Sequence, residues 1–238
     1  MPLPDSLVEV AELSEVDELK QLEALFTDIW ERSYPAVSSD LMQALRLNGN
    51  YIAGAFSRGE LVAGIVGFLG ITDEHGLHLH SHILGVRPAL QVRGVGYALK
   101  QHQRTWALDR GIRTITWTFD PLVRRNAYFN LAKLGADIAG YHRNLYGTMA
   151  DGINGAGDSD RLLVAWNLES QRAVKAAAGV VDEPLVEDLV RDGAVVALLD
   201  DQGRPVTSMG VDGTLICQVP EDIVALRAQQ PELAHAWR

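Results

Sequence analysis

His80-Ser81-His82-Ile83-Leu84-Gly85-Val86-Arg87-Pro88-Ala89-Leu90-Gln91-Val92-Arg93-Gly94-Val95-Gly96-Tyr97-Ala98-Leu99 is the stretch that decides the fold. Leu79, Ile83, Leu84 and Val86 mark an apolar-flanked strand, Pro88 marks a turn, and an amphipathic helix follows Gly96. A strand, a glycine-containing loop and a helix start turn several backbone N–H groups toward one point. That point lies at the positive end of the helix dipole and suits a phosphate or pyrophosphate. Glycine at positions 94 and 96 lets such a ligand approach the main chain.

Two other phosphate loops fit poorly. The chain contains no Gly-x-x-x-x-Gly-Lys-Ser/Thr, and Leu99 stands where the dinucleotide fingerprint needs its third glycine. The 238 residues allow one full domain with a sizeable core plus a smaller appendage. Hydrophobic residues at 47% and charged residues at 22% are ordinary for a globular chain. A single cysteine, Cys217, removes disulfides and cysteine-rich metal sites together. The first residues lack a basic segment followed by an apolar run, so no signal peptide is expected, and no apolar run reaches the roughly 20 residues of a membrane span. A cytoplasmic setting without membrane contact is expected. The net charge of -10 argues against a nucleic-acid partner. From Arg87 to Arg113, however, six basic residues oppose one acidic residue, a cationic island that suits a small anion. Lys100, Arg104 and Arg110 read there as a solvated helix face, whereas Arg93 lies inside the loop.

Working outward, residues 8–12 read as a strand. Ser14 is the expected N-cap of a helix carrying Leu19, Leu22, Phe26 and Ile29. A second helix follows Ser38-Ser39-Asp40, and residues 51–56 and 61–69 form a hairpin before the central strand, 77–86. The loop helix stops at Gly111, a strand covers 113–119, and a helix over 124–134 ends at Gly135. Strands near 138–142 and 161–168 flank a glycine-rich loop, 147–157. Residues 1–168 are thus expected to form one domain, and 169–238 an appendage for packing or dimerisation. In that tail twelve acidic residues oppose six basic ones. A small β element (194–199 and 214–219) and a helix broken at Pro231 are expected there. The last residues carry no cap signal, which leaves room for a continuation.

The run Gln91-Val92-Arg93-Gly94-Val95-Gly96 matches Gln/Arg-x-x-Gly-x-Gly/Ala, the pyrophosphate loop of the GCN5-related N-acetyltransferase (GNAT) superfamily. The element order β-α-α-β-β-β-α-β-α-β-β resembles that superfamily too, over residues 8–168. The resemblance implies an α/β acyl-CoA N-acyltransferase fold, a splayed mixed sheet flanked by helices, with the tail as a small α+β appendage. It also implies acetyl-CoA or another acyl-CoA as co-substrate and a small-molecule amine as acceptor, with a homodimer open. The coenzyme-binding set it implies is the backbone of Leu84, Gly85 and Val86, the loop from Gln91 to Gly96 with Tyr97, and Asn126 and Phe129.

His80-Ser81-His82-Ile83-Leu84-Gly85-Val86 resembles the His-x-His-x-Leu-x-Val strand of arylalkylamine N-acetyltransferases, where both histidines serve proton removal. Histidine titrates near neutrality, so His82 and His80 are the expected proton route, against a reading as a hydrogen-bonded strand face. His78 extends the pattern, and three imidazoles on one face would suit zinc. Without a nearby cysteine or fourth ligand, no metal is expected. In the helix after the 113–119 strand, Ala127, Lys133 and Gly135 match the superfamily, but Leu131 stands at the position of its thiolate-protonating tyrosine. Tyr128, nearly one turn earlier, is the substitute acid, with core packing as its other reading. The missing tyrosine keeps a non-catalytic acyl-CoA-binding or regulatory module as the alternative. Ser81–Val86, Thr116–Leu122, Asn144–Gly147 and Asp160-Arg161 also resemble a subgroup linked to succinyl transfer onto amino acids. That likeness implies Arg143 or Arg161 as a carboxylate clamp, with an Asp160–Arg161 ion pair as the other reading of Arg161. Asp120 is expected to bind the amine or to cap the next helix, and Tyr146 opens a loop read as a substrate lid or a connector.

Overall fold

The computed structural model describes residues 8–31, 33–91, 94–147, 159–181, 183–201, 204–207 and 213–238. Val92, Arg93 and most of the glycine-rich loop lie outside them. The chain forms two compact units, Met1–Thr118 with Val164–Ala173, and Phe119–Leu163 with Val174–Arg238.

The first unit opens with strand β1 (Glu9–Glu12) and helices α1 (Val16–Trp30) and α2 (Ser39–Leu47). The N-cap of α1 is Glu15, one residue later than the sequence suggests. The Glu18 carboxylate reaches back to the backbone N–H groups of Ser14 and Glu15, at 2.9 and 3.0 Å, closing a capping box that Asp17 is too short to make. Ser38 caps α2 through its hydroxyl. Strands β2 (Tyr51–Ser57), β3 (Glu60–Thr72) and β4 (Gly76–Val86) form an antiparallel meander with β1 against β2. Helix α3 (Val95–Asp109) leads to β5 (Thr114–Phe119), which is parallel to β4. Strand β7 (Arg161–Asn167) follows β5 in the sheet, giving the order β1-β2-β3-β4-β5-β7. The architecture is a mixed, mostly antiparallel sheet flanked by helices, as the sequence led us to expect.

The core on one face joins Leu19, Leu22 and Phe26 of α1 and Met42 of α2 to Ile52 and Val66 of the sheet. A pair of facing glycines, Gly64 of β3 and Gly85 of β4, lets α1 lie this close. A Cβ on Gly64 would collide with Leu22, and one on Gly85 would sit 2.8 and 2.9 Å from the Trp30 ring. On the opposite face α3 turns Val95, Leu99, Lys100, Gln103 and Trp106 inward. Tyr51 is fully buried there. Its hydroxyl lies 2.7 Å from His102 Nδ1, so His102 is a partnered, half-buried histidine.

In the second unit, α4 (Arg124–Ala127) is a single turn that passes into a π-helical turn over Tyr128–Lys133. The sequence suggested one α-helix over 124–134. Gly135, at φ +70°, closes the element. Strand β6 (Asp137–His142) stands beside β7, whose first three residues belong to this unit. After α5 (Gln171–Ala177) and α6 (Val186–Arg191) come β8 (Val195–Asp201), β9 (Arg204–Thr207) and β10 (Leu215–Cys217). These three strands form a separate sheet, β10-β8-β9. Helices α7 (Ile223–Gln229) and α8 (Pro231–Trp237) are divided at Pro231. Among the described residues no helix is long and apolar enough to cross a membrane.

Gly85→Ala tests the glycine pair. Displacing Trp30 should cost about 1–3 kcal/mol of folding stability, measured by urea denaturation, whereas an unchanged midpoint would show that α1 yields freely.

Candidate active site

Strands β4 and β5 pair over only two rungs, Leu79 with Ile115 and His80 with Thr116. Among the described residues, β4 beyond these rungs keeps only its β3 partner. The β3–β4 register also slips there: Gly67 faces Ser81 but Val66 faces Ile83, so His82 is the extra residue of a β-bulge. A bulge bends its strand and increases local twist, and here it coincides with the parting of β4 from β5. The result is a fork whose β4 side, Ile83 to Val86, is not used in pairing with β5.

At the apex His80 Nδ1 lies 3.0 Å from the Thr116 hydroxyl. The Phe68 ring packs against both imidazoles, 5.1 Å from His80 and 5.7 Å from His82, and the two imidazoles lie 6.4 Å from each other. Burial pulls the His80 pKa down to about 4, helped by the neighbouring His82, His78 and Lys100. Protein packed around the His82 ring lowers its pKa as well. Both imidazoles are therefore neutral bases at physiological pH. His78 is buried on the same strand with Nδ1 2.9 Å from the Gly76 carbonyl oxygen, and His75 stacks edge-on against it. Among the described residues no group of three or more His, Cys, Asp or Glu side chains is placed to hold a metal ion.

The far end of β4 leads into a 3₁₀ turn, Pro88–Leu90, and the Gln91 side chain donates back to the Val86 carbonyl at 3.2 Å. Gly94 caps α3 at φ +80°, a backbone angle that L side chains resist. The first intrahelical bond runs from Ala98 N to Gly94 O at 3.0 Å. The N–H groups of Val95, Gly96 and Tyr97 thus belong to the helix start rather than to its i→i−4 ladder. Fork and helix start lie at the two ends of one short segment, residues 81–97, within the first unit.

Residues 19–135 match the model of the acetyltransferase (GNAT) family. No curated protein matches the chain. Solved structures do. The ribosomal-protein-S18-alanine N-acetyltransferase of Escherichia coli is 17% identical, with a TM-score of 0.54 over 69% of this chain and 97% of that one. An N-acetyltransferase of Staphylococcus aureus Mu50 gives 15% and 0.55 over 68% and 99%. Arabidopsis thaliana Naa50, solved with the bisubstrate analogue CoA-Ac-MVNAL, gives 19% and 0.52 over 66% and 97%. This is the GNAT acetyltransferase fold.

Within that fold, the cations of the island are mostly committed. Arg104 donates to the Leu168 carbonyl at 2.6 Å, Arg110 lies 4.2 Å over the Trp106 ring, and Arg113 pairs with Glu169. Lys100 does not lie on a solvated helix face: it is 3% exposed, and burial holds its pKa well below the ordinary lysine value. Helix periodicity placed it beside the apolar stripe, and α3 sinks deep enough to take it inside. Thr116 and Phe68 escaped the sequence reading. The Thr114-x-Thr116-x-Thr118 alternation was the signal available for Thr116, since it puts a hydroxyl on every second position of β5, and no comparable pattern marked Phe68.

The second unit holds the remaining candidates. Asp120 is buried, with Oδ2 2.6 Å from Arg227 and 3.8 Å from Arg161, and Oδ1 accepting the Leu122 N–H at 2.9 Å. Arg161 also meets Asp160 through the main chain. Its Nη1 donates to the Asp160 main-chain oxygen at 3.1 Å, and its guanidinium lies 5.8 Å over the Tyr146 ring. The Asp160 carboxylate takes a two-pronged contact from Arg238, 2.8 Å on each oxygen, and accepts from Tyr141 OH at 2.6 Å and Asn144 N at 2.9 Å. The Arg238 hydrogen bonds lead in holding this carboxyl well below the usual carboxylate range. Burial, with the hydrogen bond to Asp160, pushes Tyr141 up to about 12. Arg143 and Tyr146 are exposed on the turn between these anchors. Tyr128 is 45% exposed, with Lys133 5.7 Å over its ring, while Asn126, Phe129 and Leu131 are half-buried. A π turn takes more residues per turn than an α-helix, so each advances less around the axis and the three positions from Tyr128 to Leu131 fall well short of one turn.

His80 should titrate near pH 4 by imidazole NMR. The unfolded chain takes up that proton first, so His80 favours the folded state above the ordinary value of 6.5, and this contribution is lost as pH falls toward 4. His80→Gln should flatten that part of the stability–pH curve, and an NMR midpoint near 6.5 would refute the buried, neutral assignment.

Proposed function

We propose that this protein is an acyl-CoA-dependent N-acyltransferase that moves an acetyl or succinyl group to the amine of a small molecule, an amino acid in the finer form of the reading. The observation that carries it is the β4–β5 fork joined, through residues 87–94, to a glycine-capped helix start. The fork leaves main-chain groups of Leu84, Gly85 and Val86 to hold an extended thioester arm. The helix start, with the Gln91–Gly96 loop, offers N–H donors and a favourable dipole to a pyrophosphate.

In the transfer, the amine nitrogen attacks the thioester carbonyl, the carbon–sulfur bond breaks, and an amide and a thiol result. Attack requires a neutral amine. His82 and His80, neutral beside Phe68, take the proton that the ammonium form carries, directly or through water. Backbone N–H groups of β4 stabilise the developing oxyanion. Tyr128 is the assigned proton donor to the thiolate, with unassisted departure open to a leaving group of thiol acidity. Asn126 and Phe129 complete the donor-binding set, and Arg143, Tyr146 and Arg161 are the acceptor-side candidates. Asp120 already faces two arginines, so its assigned role is to position Arg161. A cytoplasmic enzyme working as a homodimer, without metal or nucleic acid, completes the reading.

Thiol release with acetyl-, succinyl- and longer acyl-CoA donors, each offered a panel of amino acids and amines, tests the proposal directly. Turnover supports it. Donor binding without turnover across the panel would select a binding or regulatory module instead. Gly94→Val forces a branched side chain into a left-handed backbone position and should weaken acetyl-CoA binding about tenfold or more. Unaltered affinity by calorimetry would remove the loop from the donor site. The His80→Gln, His82→Gln double variant should lose about 10²-fold in kcat where the substrate is mainly ammonium, and less at alkaline pH, where free amine is plentiful. A pH–rate profile parallel to that of the unaltered enzyme would take the histidines out of the mechanism.

A further inference from the structure

Among the described residues of the first unit, Lys100 is a buried cationic side chain that the proposed chemistry leaves unused. Its amine donates to Ser81 Oγ at 2.8 Å and to Gln103 Oε1 at 3.2 Å, and lies 3.7 Å from the centroid of the Trp117 ring. No carboxylate among the described residues offsets its burial, so desolvation governs its protonation. An apolar side chain of similar length would escape that penalty, because two neutral partners and a ring face only partly replace the water an amine gives up. Stability by itself does not explain a lysine here.

Its position does. The parallel ladder of β4 and β5 ends at His80 and Thr116. Continued by one rung, it would set Ser81 against Trp117, the two side chains that the Lys100 amine touches from β4 and β5. Where main-chain hydrogen bonds hold two strands, their separation is fixed near about 4.8 Å. Beyond the last rung that constraint is gone, and only side-chain links set how far the strands part. His80 and Thr116 make one such link on the last rung. Side chains alternate along a strand, so Ser81 and Trp117 form the next link on the other face of the sheet, the face covered by α3. An amine suits this task because its N–H groups can point both to a hydroxyl and to an aromatic face.

We propose that Lys100 is the positioning residue of the fork: its amine ties Ser81 to Trp117 at the first rung the ladder omits and so sets the width of the gap that receives the acyl donor. The second half of this statement rests on the acyl-CoA reading above, whereas the first does not.

Two measurements on the full chain separate the halves. Lys100→Met keeps the length of the side chain and removes both links. Hydrogen–deuterium exchange of the amides in Ser81–Val86 and Trp117–Thr118 should change in this variant, while exchange in α1 and β2 stays as it was. Acetyl-CoA affinity by calorimetry should fall about tenfold. With an accepted amine, the loss should appear in the donor KM, with kcat kept within about twofold. Ser81→Ala, which removes only the hydroxyl, should shift exchange and affinity in the same direction by less. If Lys100→Met fails to fold, Ser81→Ala alone decides between these outcomes. Unchanged exchange in the fork overturns the proposal. Changed exchange with full acetyl-CoA affinity overturns the link to donor binding and leaves the acyl-CoA reading intact. Failure of the unaltered protein to bind any acyl-CoA overturns that reading, and with it the donor half of this one.

Discussion

A ladder of two rungs between parallel strands is the constraint on which the rest of this structure depends. Strand pairing satisfies backbone N–H and C=O groups in bulk, so ending it early leaves polar groups to be satisfied in other ways. The bulge at His82 aims β4 away from β5, and the unused main chain of Ile83–Val86 becomes available to a ligand. The facing glycines Gly64 and Gly85 bring α1 down on one side of the sheet near the end of β4. The Gly94 cap starts α3 at its far end. Each of these features would be a local irregularity alone. Together they turn one short segment into a strand edge followed by a helix dipole.

Burial, more than partner charges, sets the electrostatics of the fork. His80, His82 and Lys100 are all held toward their neutral forms, and desolvation is the leading cause in each case. The -10 net charge of the whole chain has little local influence on these groups. A base that stays neutral over the physiological range can accept a proton without first losing one. The buried carboxylates Asp120 and Asp160 of the second unit face arginines, and the Arg238 contacts hold the Asp160 carboxyl well below the usual carboxylate range.

Much of this fold was legible before any coordinates. The β2–β3 hairpin, the central strand, the loop helix, two strands of the small sheet and the break at Pro231 follow from hydrophobic period and turn residues, which act over a few positions. The errors have one common origin, which is competition among neighbours of similar local merit. Ser14 and Glu15 both serve as an N-cap, and the reach of the Glu18 carboxylate chose between them. The π turn at Tyr128–Lys133 leaves no mark on a helical pattern that survives one extra residue. Asp160 had Arg161 next door, yet its carboxylate bonds Arg238, 78 positions away and out of reach of any local pattern.

By itself, then, the order of residues determined which segments become strands and helices, and placed a glycine-capped helix after a histidine-bearing strand. Those outcomes depend on interactions within a few residues. Tertiary structure alone decided that the ladder stops at His80 and Thr116, that Phe68 packs against both imidazoles, and that a lysine written like a surface residue bridges the parting strands. Each of these needs segments far apart in the chain to meet. Only packing, which fixes distance and excludes water, sets where pairing ends and which amines and imidazoles have their pKa lowered by burial.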